Sequence, residues 1–423
     1  MAQGYFSGAY SKLTDGRSFP GIKYLFIFSP AIIYFFIVSK YALNLPSQDD
    51  YDAILGFLIK YDTAHGWEKL FLLFSQHNEH RILSSRLLYI LYDRIFGSIN
   101  FRSIIFIGNA QLLLLFIITI GFIKKSLPHY WVIASFITGL CLFDPNGWEN
   151  ADFAMGSMQN YGVILLFAAS LYFYSLDNKK WLAPAAVFQV VCIYSSGNGI
   201  IAAGFLILAT ILLKDRVKVI MSITLFSIFS PLYFLDYRFP APHQSIGFSN
   251  TVIYFFHLVS SHIYYDYVFP SIITGIVLAV VFLLVLPVKK RLQVNAASIP
   301  LVCMAGFIWA SMGTITLFRS NLAAPSYCSR YLIYPHFLFA ITFVFLLIKL
   351  AEKKFTIPLI VVATLLLLHS YRIDVDGGLT GFTFLNKTLN SVDFYYPDST
   401  GAKVIADKAC ELNIYCIEQH RLK

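Results

Sequence analysis

Residues 82–97 read ILSSRLLYILYDRIFG, from Ile82 to Gly97, and whether this stretch crosses a bilayer or lies along it decides how the rest of the chain is oriented. Its length and apolar content suit a short crossing. Arg86, Asp93 and Arg94 argue against one, because a charge at mid-membrane costs roughly 2.5–3.5 kcal/mol on insertion scales. Leu83, Leu87 and Leu91 recur at every fourth position, while Ser85, Tyr89 and Asp93 occupy another face. That is the pattern of a helix lying in the interface plane. We read 82–97 as such a helix.

The surrounding composition makes the bilayer the relevant solvent. Of 423 residues, 57% are hydrophobic and 13% charged, about half the charge of an ordinary soluble domain. This excludes a cytosolic globular enzyme and a disordered chain. Eleven apolar runs stand out, at 24–43, 103–123, 127–143, 160–176, 181–195, 199–213, 219–235, 268–288, 297–317, 332–348 and 355–370. At ~20 residues per crossing, they predict an all-α polytopic membrane protein of about eleven transmembrane helices. The net charge of +9 would suggest nucleic acid in a soluble protein. Here the 40 Phe and 27 Tyr suit lipid and interfacial belts, and no nucleic-acid partner is expected.

Basic residues set the orientation, since Lys and Arg are retained on the cytoplasmic side of short loops. With the N-terminus inside, sixteen fall on inner segments, from Lys12, Arg17 and Lys23 through Lys124 and Lys125 to Lys349, Lys353 and Lys354. The short outer loops hold three, Arg238, Arg319 and Arg330. Counting 82–97 as a crossing would put every later basic cluster outside. The expected organisation is a cytoplasmic segment 1–23, a membrane module 24–370 with a first outer loop at 44–102, and an outer C-terminal tail at 371–423. No cleavage site follows the first apolar run, so we expect an uncleaved first helix. The first loop also carries amphipathic stretches at 52–61 and around 67–74. Acidic residues gather outside, which points to a working surface there. Cys410 and Cys416 either pair in an oxidising compartment or remain free thiols.

Several polar groups interrupt this apolar background. Asp49, Asp50 and Asp52 place three carboxylates within four positions. Crowding and a low dielectric raise such pKa values, suiting one to act as a general base; a helix-capping acidic turn is the plainer alternative. Residues 76–81, QHNEHR, are polar throughout. His77 and His80 could share a helical face as metal ligands, but their spacing is not that of a zincin. A polar cluster that binds a phosphate or sugar through Arg81 and orients a carboxylate through a histidine or Asn78 fits better. The stretch from Phe143 to Asn160 sets Trp148 beside Asp144, Glu149, Asp152 and Gln159, either a sugar platform or a loop capping two helices. Ser195 to Gly199, with Asn198, is a tight turn or a cavity wall. Arg319 and the Ser329-Arg330-Tyr331 triplet stand at the outer ends of two late runs. A fixed guanidinium pair suits a phosphate leaving group, although an interfacial arginine can simply snorkel.

An inside N-terminus, one helix, an outer loop opening at Asp49-Asp50, interfacial helices and a second acidic loop after the third helix resemble glycosyltransferases of the GT-C fold. Residues 78–81, 148–150 with Gln159, 196–199 and 329–331 resemble, in their order, a bacterial subgroup that includes or lies near glucosyltransferases decorating O-antigen. The resemblance covers about residues 20–350, and Asp50 stands where many relatives have Glu. It implies transfer of a hexose, glucose by preference, from a polyprenyl-phosphate donor to a lipid-linked glycan acceptor, at the outer face of the bacterial inner membrane. Asp49, with Asp50 in support, would take the acceptor proton for an inverting attack. Arg330, with Arg319, Arg81 and Tyr331, would hold the departing phosphate. His77, Asn78, Glu79, His80, Trp148, Glu149, Asp152, Gln159 and Asn198 would contact sugar or acceptor. No cofactor and no metal is expected, a divalent cation such as Mg being the alternative. A glycan polymerase and a lipid-linked sugar flippase are the competing classes; a transporter would show inverted repeats and broken helices at the midplane, and no duplication is evident here.

Overall fold

The computed structural model describes residues 20–239, 247–262, 268–289, 293–319, 329–351, 353 and 356–417. The expected cytoplasmic segment up to residue 19, and Cys328, lie outside these. The chain is all-α; among the described residues, strand is confined to two hairpins of two residues a side.

Helix α1 (Pro20–Tyr41) leads into a π-helical turn (Tyr51–Gly56), α2 (Phe57–Thr63) and α3 (Trp67–Phe74). The hairpin β1–β2 (Gln76–His77 and His80–Arg81) and α4 (Leu83–Phe96) complete the first loop. Then come α5 (Phe101–Ser126), α6 (Trp131–Leu142), the single turn α7 (Trp148–Ala151), α8 (Ala154–Tyr174), α9 (Leu182–Ile193), α10 (Asn198–Leu212) and α11 (Arg216–Tyr233). The last part holds α12 (Phe248–Ser260), α13 (Val268–Val285), the small hairpin β3–β4 (Val288–Lys289 and Gln293–Val294), α14 (Ile299–Arg319), α15 (Ile333–Leu350), α16 (Thr356–Ser391) and α17 (Ser399–Glu411).

Every one of the eleven apolar runs forms a helix. Among the described residues, six are long and apolar enough to cross a membrane, namely α1, α5, α11, α14, α15 and α16. Helix α6 has 12 residues, ~18 Å at 1.5 Å each, and buries nearly every side chain. It is apolar all round because it is a core helix. The loop expected between 235 and 268 contains a 13-residue helix, α12, packed on α13. Close helix contacts need missing side chains. A Cβ on Gly108 would strike Ser157 where α5 meets α8.

Helix α4 has its apolar side turned outward. Leu91 is 55% and Ile95 62% exposed, whereas Arg86 is 4% and Asp93 7% exposed. Such an inversion fits a helix whose outer neighbour is lipid. Arg86 is accommodated inside because its guanidinium donates to the carbonyls of Leu72 (2.7 Å) and Ser75 (2.5 Å) at the C-terminal end of α3. It also lies over the ring of Phe57.

The expected tail is folded back on the first loop. Helix α16 does not stop at 370 but continues to Ser391, 36 residues in all. Gly378 and Gly381 let it seat the 144–152 loop, where a Cβ would meet Pro145 and Trp148. The α17 helix packs on the π-helical turn. Tyr415 Oη donates to the Asn44 carbonyl at 2.7 Å, and Gln48 N to the Tyr395 carbonyl at 2.7 Å. Cys410 and Cys416 form a disulfide.

Candidate active site

One end of the bundle holds a cavity of 1420 Å³. Its polar side is formed by Gln48 and Asp49 from the first loop, Asn78, Glu79 and Arg81 from the hairpin, and Arg319, Arg330 and Tyr331. Its apolar side comes from the ends of α3 and α11, through Leu70, Phe71, Phe74, Leu232, Leu235 and Phe239. Several of these, such as Phe71 and Phe239, are also largely exposed, so the apolar wall runs out to the protein surface.

The hairpin is tied into the fold on both sides. Gln76 accepts from Arg238 N at 2.8 Å and donates to the Arg238 carbonyl at 2.8 Å. Tyr237 Oη donates to the Glu79 carbonyl at 2.8 Å. Arg81 Nε donates to the Tyr233 carbonyl at 2.6 Å, and its terminal nitrogens donate to the carbonyls of Phe74 and Leu235. The expected phosphate-binding role of Arg81 therefore competes with three backbone acceptors, and its guanidinium ties the two apolar walls together. His77 and His80 face each other as cross-strand partners, not as neighbours on a helix. His80 Nδ1 accepts from Gly197 N at 3.1 Å. Burial pushes its pKa down to about 4, Glu79 opposing this, so a neutral imidazole serves as the acceptor.

The paired acids separate into two roles. Asp50 is 1% exposed; its two oxygens accept from Ser47 N at 3.0 Å and Met155 N at 2.8 Å. Burial pushes its pKa up to about 8, the two amides partly offsetting this. Asp49 lines the cavity, and among the described residues its carboxylate has no hydrogen-bond partner. Asp52 accepts from Tyr396 Oη on the returning chain.

The two arginines are held from opposite sides. Arg319 Nη2 lies 2.7 Å from Glu79 Oε1. Arg330 Nη2 lies 3.2 Å from Gln48 Oε1 and 3.6 Å from Glu149 Oε1. Glu149 also accepts from Arg330 N (3.0 Å) and Ser329 Oγ (3.1 Å), so it positions the triplet. Asn198 donates to Tyr334 Oη at 2.9 Å and Gln159 to Ser196 Oγ at 3.3 Å; both stand behind the cavity wall. Trp148, expected as a sugar platform, packs on Gly381 and against Phe384 and does not line the cavity. Asp152 is buried, with no hydrogen-bond partner for either oxygen among the described residues, and burial holds its carboxyl well above the usual range.

Compared with protein-family models, curated proteins and solved structures, the chain matches none. The chemistry of the cavity is therefore read from its own residues. Five described non-glycine residues have positive φ, and three of them, Gln48 (45°), Asn78 (46°) and Asp236 (54°), line this cavity. Backbone held in that sparsely populated region clusters at functional sites. Sequence reading gave no role to Gln48 or to the end of α11, and none to Gln76 beyond its place in the 76–81 stretch. Gln48 had one visible signal, its place beside Asp49; the end of α11 reaches the cavity only through folding.

A second polar group lies apart from the cavity lining. Asp144, His262 and His336 are buried and offer ligand atoms all within 4.8 Å of one another.

Proposed function

We propose that the protein is a polyprenyl-phosphate-sugar-dependent hexosyltransferase of the bacterial inner membrane, working at the outer face with its N-terminus inside and about eleven crossings. The observation that carries this reading is the two-sided cavity. A surface-reaching apolar wall meets the Asp49 carboxylate and the guanidinium groups of Arg319 and Arg330, which is the chemistry a lipid-linked sugar phosphate requires. The disulfide between Cys410 and Cys416 supports placing that end in an oxidising compartment.

In this mechanism Asp49 takes the proton of the acceptor hydroxyl. The hydroxyl oxygen bonds to the anomeric carbon from the face opposite the phosphate, and the bond from that carbon to the phosphate oxygen breaks. The configuration inverts, the proton stays on Asp49, and the electron pair leaves on the polyprenyl phosphate. Arg330 and Arg319 neutralise the charge that develops there. Asp50 holds the backbone of the base, and Glu149 and Gln48 hold Arg330.

Reconstitution with radiolabelled undecaprenyl-phosphate glucose and a lipid-linked glycan acceptor tests it. We expect label in the acceptor, and Asp49→Asn to reduce transfer by roughly 10²-fold or more, the scale of a general base, with membrane insertion intact. Near-normal transfer by Asp49→Asn would refute the base. Polymerisation of lipid-pyrophosphate repeats without single-sugar transfer would instead identify a polymerase, and counterflow without transfer a transporter.

A further inference from the structure

Asp144 follows the C-terminal end of α6, His262 follows α12, and His336 lies in the first turn of α15. Three separate elements thus deliver a carboxylate and two imidazoles to one buried point. Asp144 Oδ2 and His336 Nε2 are 3.7 Å apart, too far for a hydrogen bond but close to the ~3.3 Å expected between two ligands of a tetrahedral zinc with bonds near 2.0 Å. His336 turns Nε2 toward Asp144, with the Cys141 backbone beside its ring. His262 has Nε2 3.8 Å from Cys141 Sγ, while its Nδ1 is buried with no hydrogen-bond partner among the described residues. A ring with one nitrogen oriented and the other available is how a metal-ligating histidine is usually held. Asp374 of α16 brings a second carboxyl beside Asp144, and Asn146 Nδ2 fixes it at 2.7 Å. Among the described residues, Asp144 makes no ion pair with a lysine or arginine. Two carboxyls, two imidazoles and a nearby thiol thus meet in one buried site.

We infer that Asp144, His262 and His336 bind one divalent transition-metal ion, zinc by the nitrogen and oxygen donor set, and that the ion joins the ends of α6, α12 and α15. Its burial marks it as structural, not as the centre of transfer chemistry. The inference stands or falls independently of the transferase reading, because its readouts are metal content and stability.

The full-length protein, purified in detergent without chelator, is assayed by elemental analysis. We expect about one zinc per chain, loss of it in His336→Ala and in His262→Ala, and retention in His65→Ala, a residue outside the cluster. After chelation, thermal stability should fall and recover with added zinc, since a ligand bound only by the folded state stabilises it. Cobalt added to the stripped protein should give the visible absorption bands of a low-symmetry site. These spectra remain informative if a variant misfolds, because they use the wild-type chain. A monodisperse wild-type protein that holds no metal, is indifferent to zinc and gives no cobalt bands would overturn the site, leaving a proton-sharing cluster. So would zinc that survives both histidine substitutions.

Discussion

Asp50 commits both carboxylate oxygens to the amides of Ser47 and Met155, while Asp49, one position earlier, turns to the cavity. Neighbours in sequence thus carry different tasks, and pH separates them. The folded state raises the Asp50 pKa from 3.8 to about 8, so between these values the native protein holds a proton that the unfolded chain has released. Its contribution to stability is greatest below pH 3.8 and declines as pH rises to about 8. We expect the melting temperature in detergent to fall between pH 5 and 8, and Asp50→Asn to flatten that slope. An unchanged slope would show that Asp50 does not titrate there. The arginines divide likewise. Arg81→Ala would strand the carbonyls of Phe74, Tyr233 and Leu235, each costing ~1–3 kcal/mol when left unmet, and should lower thermal stability markedly. Arg330→Ala should leave the fold standing and cut turnover by roughly 10²-fold, the loss of one charge-stabilising donor. If single-turnover rates moved with Arg81 and not with Arg330, the two roles would have to be exchanged.

At the scale of elements, α4 decides the topology. A reporter fused after Gly97 should appear on the same side as one placed after Asn44, and opposite to one after Lys125. Finding it opposite the Asn44 reporter, with the Lys125 reporter now on the Asn44 side, would turn α4 into a crossing and invert every later loop. The apolar helices were legible because length and unbroken hydrophobicity survive in one dimension. The outward side of α4 was legible in part for a related reason: of the expected stripe Leu83, Leu87 and Leu91, the last two face outward, while Leu83 is buried. The β1–β2 hairpin was not, since six polar residues have no period and strands of two residues leave no pattern. Helix α12 was hidden because its apolar stretch, Val252 to Phe256, is flanked by Ser249, Asn250 and Thr251 and interrupted by His257. The apolar cavity wall was invisible because Phe74 and Leu235 come from helices far apart in sequence, brought together by Arg81. Trp148 misled for a definable reason: an aromatic beside carboxylates reads as a sugar platform, but Gly378 and Gly381 on α16 create a seat for that loop, and those glycines lie over 220 positions away.

Across the whole molecule, the chain closes on itself. Residues 392–417 cover the first loop, with Tyr395, Tyr396 and Tyr415 bonded to Gln48, Asp52 and Asn44. The disulfide locks the end of α17 in this position. Replacing both Cys410 and Cys416 by serine should cost about 2 kcal/mol by loop entropy and expose residues 392–417 to protease. Alkylation before and after reduction should differ by two thiols in the wild type; equal labelling would mean that the bond does not form in the cell.

The outward leucines of α4 give the molecule a fixed draught, like a hull loaded to a painted line. Asp49 rides at one height relative to the headgroups, set by the side chains that sink into the oil. A donor with its sugar one phosphate further from the tail would carry its reacting carbon above that waterline, so the choice between mono- and diphosphate carriers becomes a matter of flotation as much as of charge.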